Sequence, residues 1–462
     1  MKKSILALSL AGALVFSSCE QTVEVDTATL QSIVNQAVTA ALAQYPTIDP
    51  AAIANAAAQA AAAAVAAGFD NQDIQAAIAA VLAQQNAAPA TWEHSGLITA
   101  DETWYASTEH FLNDKVVVAD GATLTIEAGA VIKGRESANP EDASALVVAR
   151  GGKIYANGTA DAPIIFTSEN DNLDGNLTSE DKGLWGGVIV LGKAKISVEG
   201  DGAELQIEGI PAEDTFGLYG GSDDQDNSGV IKYVSIRHGG ANIGEGNEIN
   251  GLTCGGVGSG TSISNVEVYA NKDDGIEMFG GTVNITNVVV WNVGDDSLDT
   301  DQAYSGTISN VVIMKEANGL ASGDHGLELD GAEGSYQASN PVYHTIKNVT
   351  YKGGSGEIAD LRAGVRVKIQ NLYAFNMGTS EDIELDNDGV AAEYDAGNII
   401  FENLYFNLAT GDTRTVADIV VNKGATSSTS PVESDMTIVT TQADGVGADT
   451  SVFTWTLAEI DF

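Results

Sequence analysis

Basic residues are scarce in this chain. Of its 462 residues, 21 are lysine or arginine and 64 are aspartate or glutamate, which gives a formal charge of -43. Such a chain repels nucleic acid and anionic lipid headgroups, so we expect neither as a partner. Carboxylate oxygens attract cations instead, and they suit calcium. The charge therefore favours bound cations and leaves basic or neutral ligands open.

Cysteine is almost absent too, with Cys19 and Cys254 alone in the sequence, and we expect no disulfide. Lys2 and Lys3 precede an apolar run over residues 5–16 that is too short to span a bilayer comfortably. This run ends in "VFSSC", which resembles a bacterial lipobox. The resemblance implies cleavage before Cys19, lipidation of that residue, and a place in the cell envelope as a surface-exposed outer-membrane lipoprotein.

Three segments precede the main domain: a signal peptide over 1–18, a polar tether over 19–28, and an alanine-rich segment over 29–91. Apolar residues from Leu30 to Leu42 recur at helical spacing, and Asp49 with Pro50 forms a helix start signal. We predict an α-helical segment that packs on itself, on the main domain or on a second chain. Its polar faces lack lysine and arginine, which excludes membrane-active helices.

From Trp92 onward the chain contains short β-rich runs separated by glycine, and one pattern repeats. Six segments, among them "TSISNVEVY" and "VNITNVVVW", align on an asparagine. The aligned residues are Asn265, Asn287, Asn310, Asn348, Asn371 and Asn403. Their spacing is near the twenty-odd residues of one solenoid coil, with longer steps where loops are inserted. We predict a parallel β-helix over 92–423, with 424–462 capping its open end.

Asparagine suits a bend between two strands of a coil because it tolerates left-handed backbone angles. Stacked coils would align these amides in a hydrogen-bonded ladder. The repeats resemble those of the pectin-lyase-like superfamily, and "NEINGLTCGGVGSGTSI" and "DDGIEMFGG" resemble phrases of a group of bacterial surface lipoproteins. The resemblance implies an all-β fold class: a right-handed parallel β-helix, or solenoid, with an N-terminal Ala-rich α-helical segment.

An acidic turn and a second strand follow most of the asparagine strands, as in "DDGIEMF" and "DDSLDTD". Strand alternation points Ile276 and Met278 inward and the residues between them outward. Alignment of the coils predicts two outward columns. The first contains Glu277, Asp299, Glu328, Asp360 and Glu384, and the second contains Phe279, Asp301, Asp330, Arg362 and Asp386.

Carboxylates stacked about 4.8 Å apart repel one another. Bound cations, raised carboxylate pKa values or nearby bases would offset this repulsion. The phrase "ELDNDGVAAEYD" also resembles a calcium loop. We predict bound calcium, with solvated turn acids as the alternative. The predicted ligands are Asp273, Glu277, Asp299, Asp301, Glu328, Asp330, Glu384, Asp386 and Asp388.

Catalysis is the competing interpretation. The run "NKDD", "GDD", "GDHG" and "RVK" is similar to successive motifs of polygalacturonases, although Asp324 interrupts the third. The resemblance implies that Asp274, Asp295 and Asp296 act as acid and base carboxylates. It also implies that His325 assists and that Arg366 and Lys368 bind the sugar acid. A lyase would instead combine calcium with Arg362 or Lys368 as the base.

A further column lies four residues past each asparagine and is rich in aromatic side chains. Its members Tyr269, Trp291 and Phe375 are predicted to bind ligand, because exposed aromatics beside carboxylates are typical of a glycan-binding face. A covering segment is the alternative. The leading hypothesis is therefore a calcium-stabilised surface β-helix that binds glycans or acts in adhesion or envelope assembly. A polysaccharide hydrolase or lyase is the runner-up, and a passive coat protein is third.

Overall fold

The computed structural model describes residues 90–137, 139, 142–211, 214–244, 247–315, 323–336, 344–354, 356–424, 435–458 and 460. The predicted signal peptide, tether and helical segment, with Cys19, lie outside the described residues, except that Ala90 and Thr91 at the end of the predicted helical segment begin a strand. The chain from Thr91 to Phe462 forms one compact unit. Within the part of the chain that is described, no helix has the length and hydropathy needed to cross a bilayer.

Nine strands build the N-terminal coils. They are β1 (Ala90–Ile98), β2 (Glu102–Trp104), β3 (Thr108–Val118), β4 (Thr123–Ile126), β5 (Val131–Gly134), β6 (Ala145–Val148), β7 (Lys153–Asn157), β8 (Ile164–Ser168) and β9 (Val188–Leu191). In β4, Leu124 and Ile126 are buried and Thr125 is exposed, which is the alternation of a strand with one face on a core. Strand β4 pairs in parallel with β7, and β5 with β8, so these segments stack as successive coils.

The repeated part of the chain supplies one long and one short strand per coil. The long strands are β12 (Gly229–Arg237), β16 (Ser262–Tyr269), β18 (Asn284–Trp291), β20 (Thr307–Met314), β22 (His344–Lys352), β24 (Val367–Phe375) and β26 (Ile399–Asn407). The short strands are β15 (Leu252–Gly255), β17 (Ile276–Phe279), β19 (Leu298–Asp301), β21 (His325–Leu329), β23 (Glu357–Leu361), β25 (Ile383–Leu385) and β27 (Val420–Asn422).

Each strand of this repeat pairs in parallel with the equivalent strand of the next coil, for example β16 with β18 and β17 with β19. Equivalent apolar residues therefore lie above one another. Ile276, Leu298 and Leu327 are register partners and are all buried in the core. Burial of such side chains contributes about 1.5–3 kcal/mol each, and the stack repeats that contribution on every coil. The predicted all-β parallel β-helix is confirmed.

The aligned asparagines lie at a bend within the long strands. All six have left-handed backbone angles, with φ between 55° and 61°. Asn310 Nδ2 donates to Asn287 Oδ1 at 2.8 Å, and Asn371 Nδ2 donates to Asn348 Oδ1 at the same distance. The predicted bend and the predicted amide ladder are both present at these positions.

The other elements of the described residues decorate the coils. They are the antiparallel pairs β10 (Leu205–Gln206) with β11 (Leu218–Tyr219) and β13 (Asn242–Gly244) with β14 (Asn247–Glu248), the helix α1 (Asp388–Asp395), the strand β28 (Met436–Val439), and four 3-10 turns at Glu199–Asp201, Thr215–Gly217, Val416–Asp418 and Thr450–Phe453. Strand β28 pairs in parallel with β26, so strand stacking continues beyond the predicted boundary at residue 423.

Residues 445–458, the C-terminal strap, run back along the side of the coils. Asn371 Nδ2 donates to the carbonyl of Gly445 at 2.9 Å, and the amide of Asp449 donates to Asn310 Oδ1 at 2.7 Å. Farther along, the amide of Ala458 donates to Glu267 Oε1 at 2.9 Å. The strap therefore crosses from β24 toward β16. The sequence predicts a cap over 424–462, and within that range these residues lie along the side of the coils.

Candidate functional site

The short strands carry the predicted acidic column. Glu277 is the register partner of Asp299, which is the register partner of Glu328. Asp360 and Glu384 continue the column on the next two coils. The sequence alignment of these five residues is therefore correct. We call this column, together with the turn residues that precede each short strand, the acidic strip.

The turn residues form a second stack beside that column. The amide of Asp296 donates to Asp274 Oδ1 at 2.9 Å. One coil later, the amide of His325 donates to Asp296 Oδ1 at 2.7 Å. These carboxylates accept backbone N–H groups that would otherwise be unsatisfied at a buried turn. Asp274 and Asp296 thus hold consecutive coils in register while they bring charge to the strip.

Part of the strip is covered, which corrects the expectation that it faces solvent. Glu277 is 7% exposed and Asp299 is 9% exposed. Ile196, Ile207 and Tyr219 belong to the segment between β9 and β12, and they pack with Phe279 in a second apolar cluster. The sequence pattern correctly excluded these acids from the inner core. It could not show that an insertion from an earlier coil would lie over them.

Nearby bases neutralise one end of the strip. Arg362 Nη2 lies 2.7 Å from Glu328 Oε1 and 3.2 Å from Asp330 Oδ2. Lys423 forms an ion pair with Glu384 one coil beyond Asp360. Buried charges need such partners, because a carboxylate removed from water without one is strongly destabilised.

The other end lacks this neutralisation. Among the described residues, no basic group lies within ion-pair distance of Asp274, Glu277 or Asp299. Burial, reinforced by the charges of neighbouring acids, raises the pKa of all three carboxyl groups well above its usual range. Asp299 Oδ1 is buried with no hydrogen-bond partner in the described chain. The unbalanced charge is therefore concentrated on the coils of β17 and β19.

Two sets of oxygens at this end have the chemistry of a hard-cation site. Asp274, Glu277 and Asp299 each bring a carboxylate oxygen within 4.8 Å of the other two, and Asp273, Asp274 and Asp295 do the same. The first set is buried, whereas Asp295 in the second set is exposed. Calcium takes six to eight oxygen ligands in flexible geometry, so these residues with water fit it. A cation would also satisfy the unpaired oxygen of Asp299.

Burial and mutual repulsion act on the flanking acids as well. Partial desolvation and the charge of Asp296 raise the pKa of Asp295 to about 6. Burial raises the pKa of Asp301 to about 7, although its carboxylate accepts the amide of Gln302. Divalent cations compete for such groups only in their ionised form, so metal binding here depends on pH.

At the C-terminal end of the strip, a helix lies where the calcium-loop resemblance implies a loop. Asn387 caps α1 by accepting from the amides of Gly389 and Val390, so Asp388 begins a helix. Asp386 is exposed beside it. The calcium-loop interpretation of this stretch is wrong, because asparagine is among the strongest N-cap residues and the cap converts the apparent loop into a helix.

The six predicted catalytic residues do not form one cluster. Asp274 and Asp296 lie in the turns before β17 and β19, and His325 begins β21 on the next coil. Arg366 and Lys368 lie past the far end of β23, whose five residues alone span about 16 Å at about 3.3 Å each. Arg366 binds Glu393 at 3.1 Å, and Lys368 lies 2.5 Å from Glu402. These ion pairs hold both bases away from the acidic turn, so the polygalacturonase-like arrangement is not assembled.

The aromatic column exists in register but is largely covered. Tyr269 pairs with Trp291, and their ring centroids are 4.8 Å apart. Tyr269 is 6% exposed, and Trp291 packs beside Met314 and Phe453 of an apolar cluster that includes the strap. Phe375 is half-buried and stacks on Tyr373 at 5.4 Å. The expectation of an open aromatic face is wrong for Tyr269, whose ring packs against His238 and Trp291. The alternative of a covering segment fits Trp291, which packs beside the strap.

Lys315 belongs to this region although the sequence did not single it out. It directly follows β20 and is 4% exposed. Burial lowers its pKa to about 8, against the opposing effect of Asp296 and other nearby acids. Its Nζ has no hydrogen-bond partner within the described ranges. A lysine after an apolar strand has no distinctive sequence pattern. The stacking of the coils, which places Lys315 near the acids, is visible only in the structure.

The match to a family model agrees with this architecture. Residues 96–459 match the family model described as a pectate-lyase-like β-helix domain, and the chain belongs to that family. Its membership fits a polysaccharide-related role. A solved structure titled "Crystal structure of pectate lyase Pel9A" is similar to this chain, with 12% identity, a TM-score of 0.35, and coverage of 66% of this chain and 72% of that chain. No curated protein matches the sequence significantly.

Proposed function

We propose that this protein is an exported, lipid-anchored β-helix of the cell envelope that binds calcium in the acidic strip and binds an anionic polysaccharide beside that ion. The observation that carries the proposal is the buried, unneutralised set Asp274, Glu277 and Asp299, with its unpaired Asp299 oxygen. A divalent cation removes the repulsion among these carboxylates and supplies the missing contact.

The two oxygen sets suggest a division of roles. Asp274, Glu277 and Asp299 lie beneath the covering segment, so an ion there links two coils and stabilises the fold. Asp273 and Asp295 lie at the more open edge of the same strip, so an ion held there keeps coordination positions for an outside ligand. A chain of charge -43 repels an anionic polysaccharide, and a bridging cation offsets that repulsion locally.

Binding to polygalacturonate and alginate, measured by isothermal titration calorimetry with calcium and with chelator, tests this function. We expect binding only with calcium and at least a tenfold loss of affinity in Asp295→Asn. The matched control is Asp174→Asn, which removes an exposed acid far from the strip in sequence and should bind normally. Equal binding in chelator, or none to any anionic polysaccharide, would contradict the proposal.

A lyase is the second candidate, because Lys315 lies close enough to Asp295 and Asp296 for their charges to act on it. A pKa near the working pH suits a general base that removes a proton from a uronate ring. Arg362 and Lys368, the bases predicted from the sequence, are engaged in ion pairs. Ultraviolet absorbance of unsaturated products tests this candidate. Activity that is lost in Lys315→Ala supports it, and a silent wild-type protein with calcium eliminates it.

The lipid anchor and envelope location rest on the lipobox-like sequence before Cys19. Fatty-acid labelling and detergent-phase partitioning of the wild type and of Cys19→Ser test them directly. Unlabelled wild-type protein in the aqueous phase would contradict the anchor. Self-association through residues 29–91 stays a prediction.

A further inference from the structure

His325 lies among four carboxylates of the acidic strip. Its Nδ1 is 2.8 Å from Asp296 Oδ1 and 3.1 Å from Glu328 Oε2. Its Nε2 is 3.8 Å from Glu357 Oε2 and 4.0 Å from Asp360 Oδ2. The ring therefore has one close pair of oxygens on one nitrogen and a looser pair on the other.

Protonation of the His325 ring does not satisfy all of the carboxylate oxygens around it. One N–H at Nδ1 makes one well-aligned hydrogen bond, yet two carboxylate oxygens face that nitrogen at hydrogen-bond distance. The four carboxylates carry four formal negative charges. A protonated His325 and Arg362 supply two positive charges, so two negative charges remain unbalanced. A small divalent ion bound by Asp296, His325 and Glu328 would contact the two carboxylate oxygens and the ring nitrogen at once.

We propose that Asp296, His325 and Glu328 form a second metal site that takes a first-row transition ion such as Zn²⁺ rather than calcium. One atom from each of the three residues lies within 4.8 Å of the other two. Imidazole nitrogen with carboxylate oxygen suits Zn²⁺, whereas calcium prefers oxygen alone. Three protein ligands leave the fourth tetrahedral position for water. This site is independent of the calcium proposed at Asp274 and Glu277.

The surrounding groups orient these ligands. Arg362 binds Glu328 Oε1 at 2.7 Å, so Oε2 is the oxygen turned toward His325. Metal-bound histidines usually donate their second N–H to a carboxylate, and Glu357 and Asp360 lie on the Nε2 side at a distance that a small side-chain rotation closes. The scaffold therefore supplies an outer shell as well as ligands.

Asp299, on the preceding coil, shows that the strip next to this site also lacks neutralising bases within the described part of the chain. It is the register partner of Glu328, it is 9% exposed, and the charges of Glu328 and Asp296 act on it. Its Oδ1 has no hydrogen-bond partner among the described residues. This oxygen belongs to the all-oxygen set with Asp274 and Glu277, and the charge of Asp299 adds to the negative potential at Glu328 and Asp296.

The first test uses the purified wild-type chain, freed of metal with chelator and titrated with Zn²⁺. Long-range ¹⁵N spectra of its five histidines should show one Nδ1 signal moving to a metal-bound position at one equivalent. Co²⁺ should give the visible absorption of a four-coordinate ion. Unchanged histidine signals at saturating Zn²⁺ would overturn the proposal whether or not any variant folds.

Variants then assign the signal. His325→Gln should abolish the spectral change. Glu328→Gln should lower the affinity for Zn²⁺ at least tenfold and leave calcium binding in place. Glu180→Gln is the matched control, because it makes the same substitution at an exposed position. Asp274→Asn should weaken calcium and spare the Zn²⁺ signal. Equal Zn²⁺ affinity in folded His325→Gln would reject the site and leave the calcium proposal untouched.

Discussion

The amide of Asp296 donates a hydrogen bond to the carboxylate of Asp274, one coil earlier in the stack. An asparagine side chain could accept this bond without a charge. The chain instead places an acid at both positions, in a strip where the neighbouring acids are buried and lack bases. Acids in such a place indicate that charge itself is used there.

Calcium should stabilise the protein through the buried oxygen set. Asp299→Asn removes one of the repelling charges, so we expect a higher melting temperature than wild type in chelator and little further gain with calcium. In wild type, calcium at 100 times its Kd should raise the free energy of unfolding by about 2.7 kcal/mol. Differential scanning calorimetry with Asp174→Asn as control checks this. A wild-type melting temperature that ignores chelator would reject a structural calcium ion.

Without metal, stability should fall as the pH rises from about 4 to about 7. Burial raises the pKa of Asp301 and Glu357 to about 7 and that of Asp360 to about 6, above their unfolded values near 4. The folded state therefore holds protons more tightly in that window, and each carboxyl loses its stabilising proton as the pH passes its folded pKa.

Urea midpoints measured between pH 4.5 and 8 in chelator and in calcium check this dependence. The curve should be flatter in calcium, since the ion binds the carboxylates that have lost their protons. A metal-free midpoint that stays constant or rises over this range would show that the acids are not strained in the folded state.

The C-terminal strap should contribute strongly to stability through Phe453. This side chain is 2% exposed and packs with Val289, Val312 and Met314. Phe453→Ala should lower the free energy of unfolding by about 3–5 kcal/mol, as for other buried aromatic residues. Leu457→Ala is the control in the same segment, because Leu457 is 43% exposed and should cost far less. Equal urea midpoints for the two variants would mean that the strap is not docked in solution.

The bend asparagines should be needed for both conformation and ladder contacts. Asn310 has φ of 58°, donates to Asn287 and accepts from the amide of Asp449. Asn310→Gly keeps the bend and loses the side-chain hydrogen bonds. Asn310→Ala loses the same bonds and also places an alanine at left-handed backbone angles, which destabilises the fold by about 1–2 kcal/mol more. The alanine variant should therefore unfold at lower urea than the glycine variant. The reverse order would indicate that the bend relaxes without strain.

Much of the strip could be aligned from sequence because coils repeat. Asn265 and its equivalents set the frame, and counting from them placed Glu277 beside Asp299 correctly. The covering segment could not be anticipated in the same way, since residues such as Ile207 and Tyr219 lie in an insertion that has no counterpart on other coils. The burial of Glu277, and with it the raised pKa of that carboxyl, depends on this segment.

Motif order was a weaker guide than coil position. His325 and Arg366 follow one another in the expected order, yet they lie at different corners of the coil. His325 begins a short strand, whereas Arg366 follows the end of the short strand on the next coil. The same limit applies to Asn387, whose capping bonds turn an apparent calcium loop into a helix. Local hydrogen bonding and chain direction decided both cases, and neither is visible in a spacing pattern.

By itself, the sequence determined the stacked-coil architecture, since a repeated asparagine bend and alternating apolar residues have one consistent packing. It also determined which acids share a column, because parallel register repeats from coil to coil. Only the tertiary structure decided which acids are buried, which have bases, and which surface the strap covers. Those properties arise from contacts between residues far apart in the chain, such as Glu267 with Ala458, and depend on the path of each insertion over the coils.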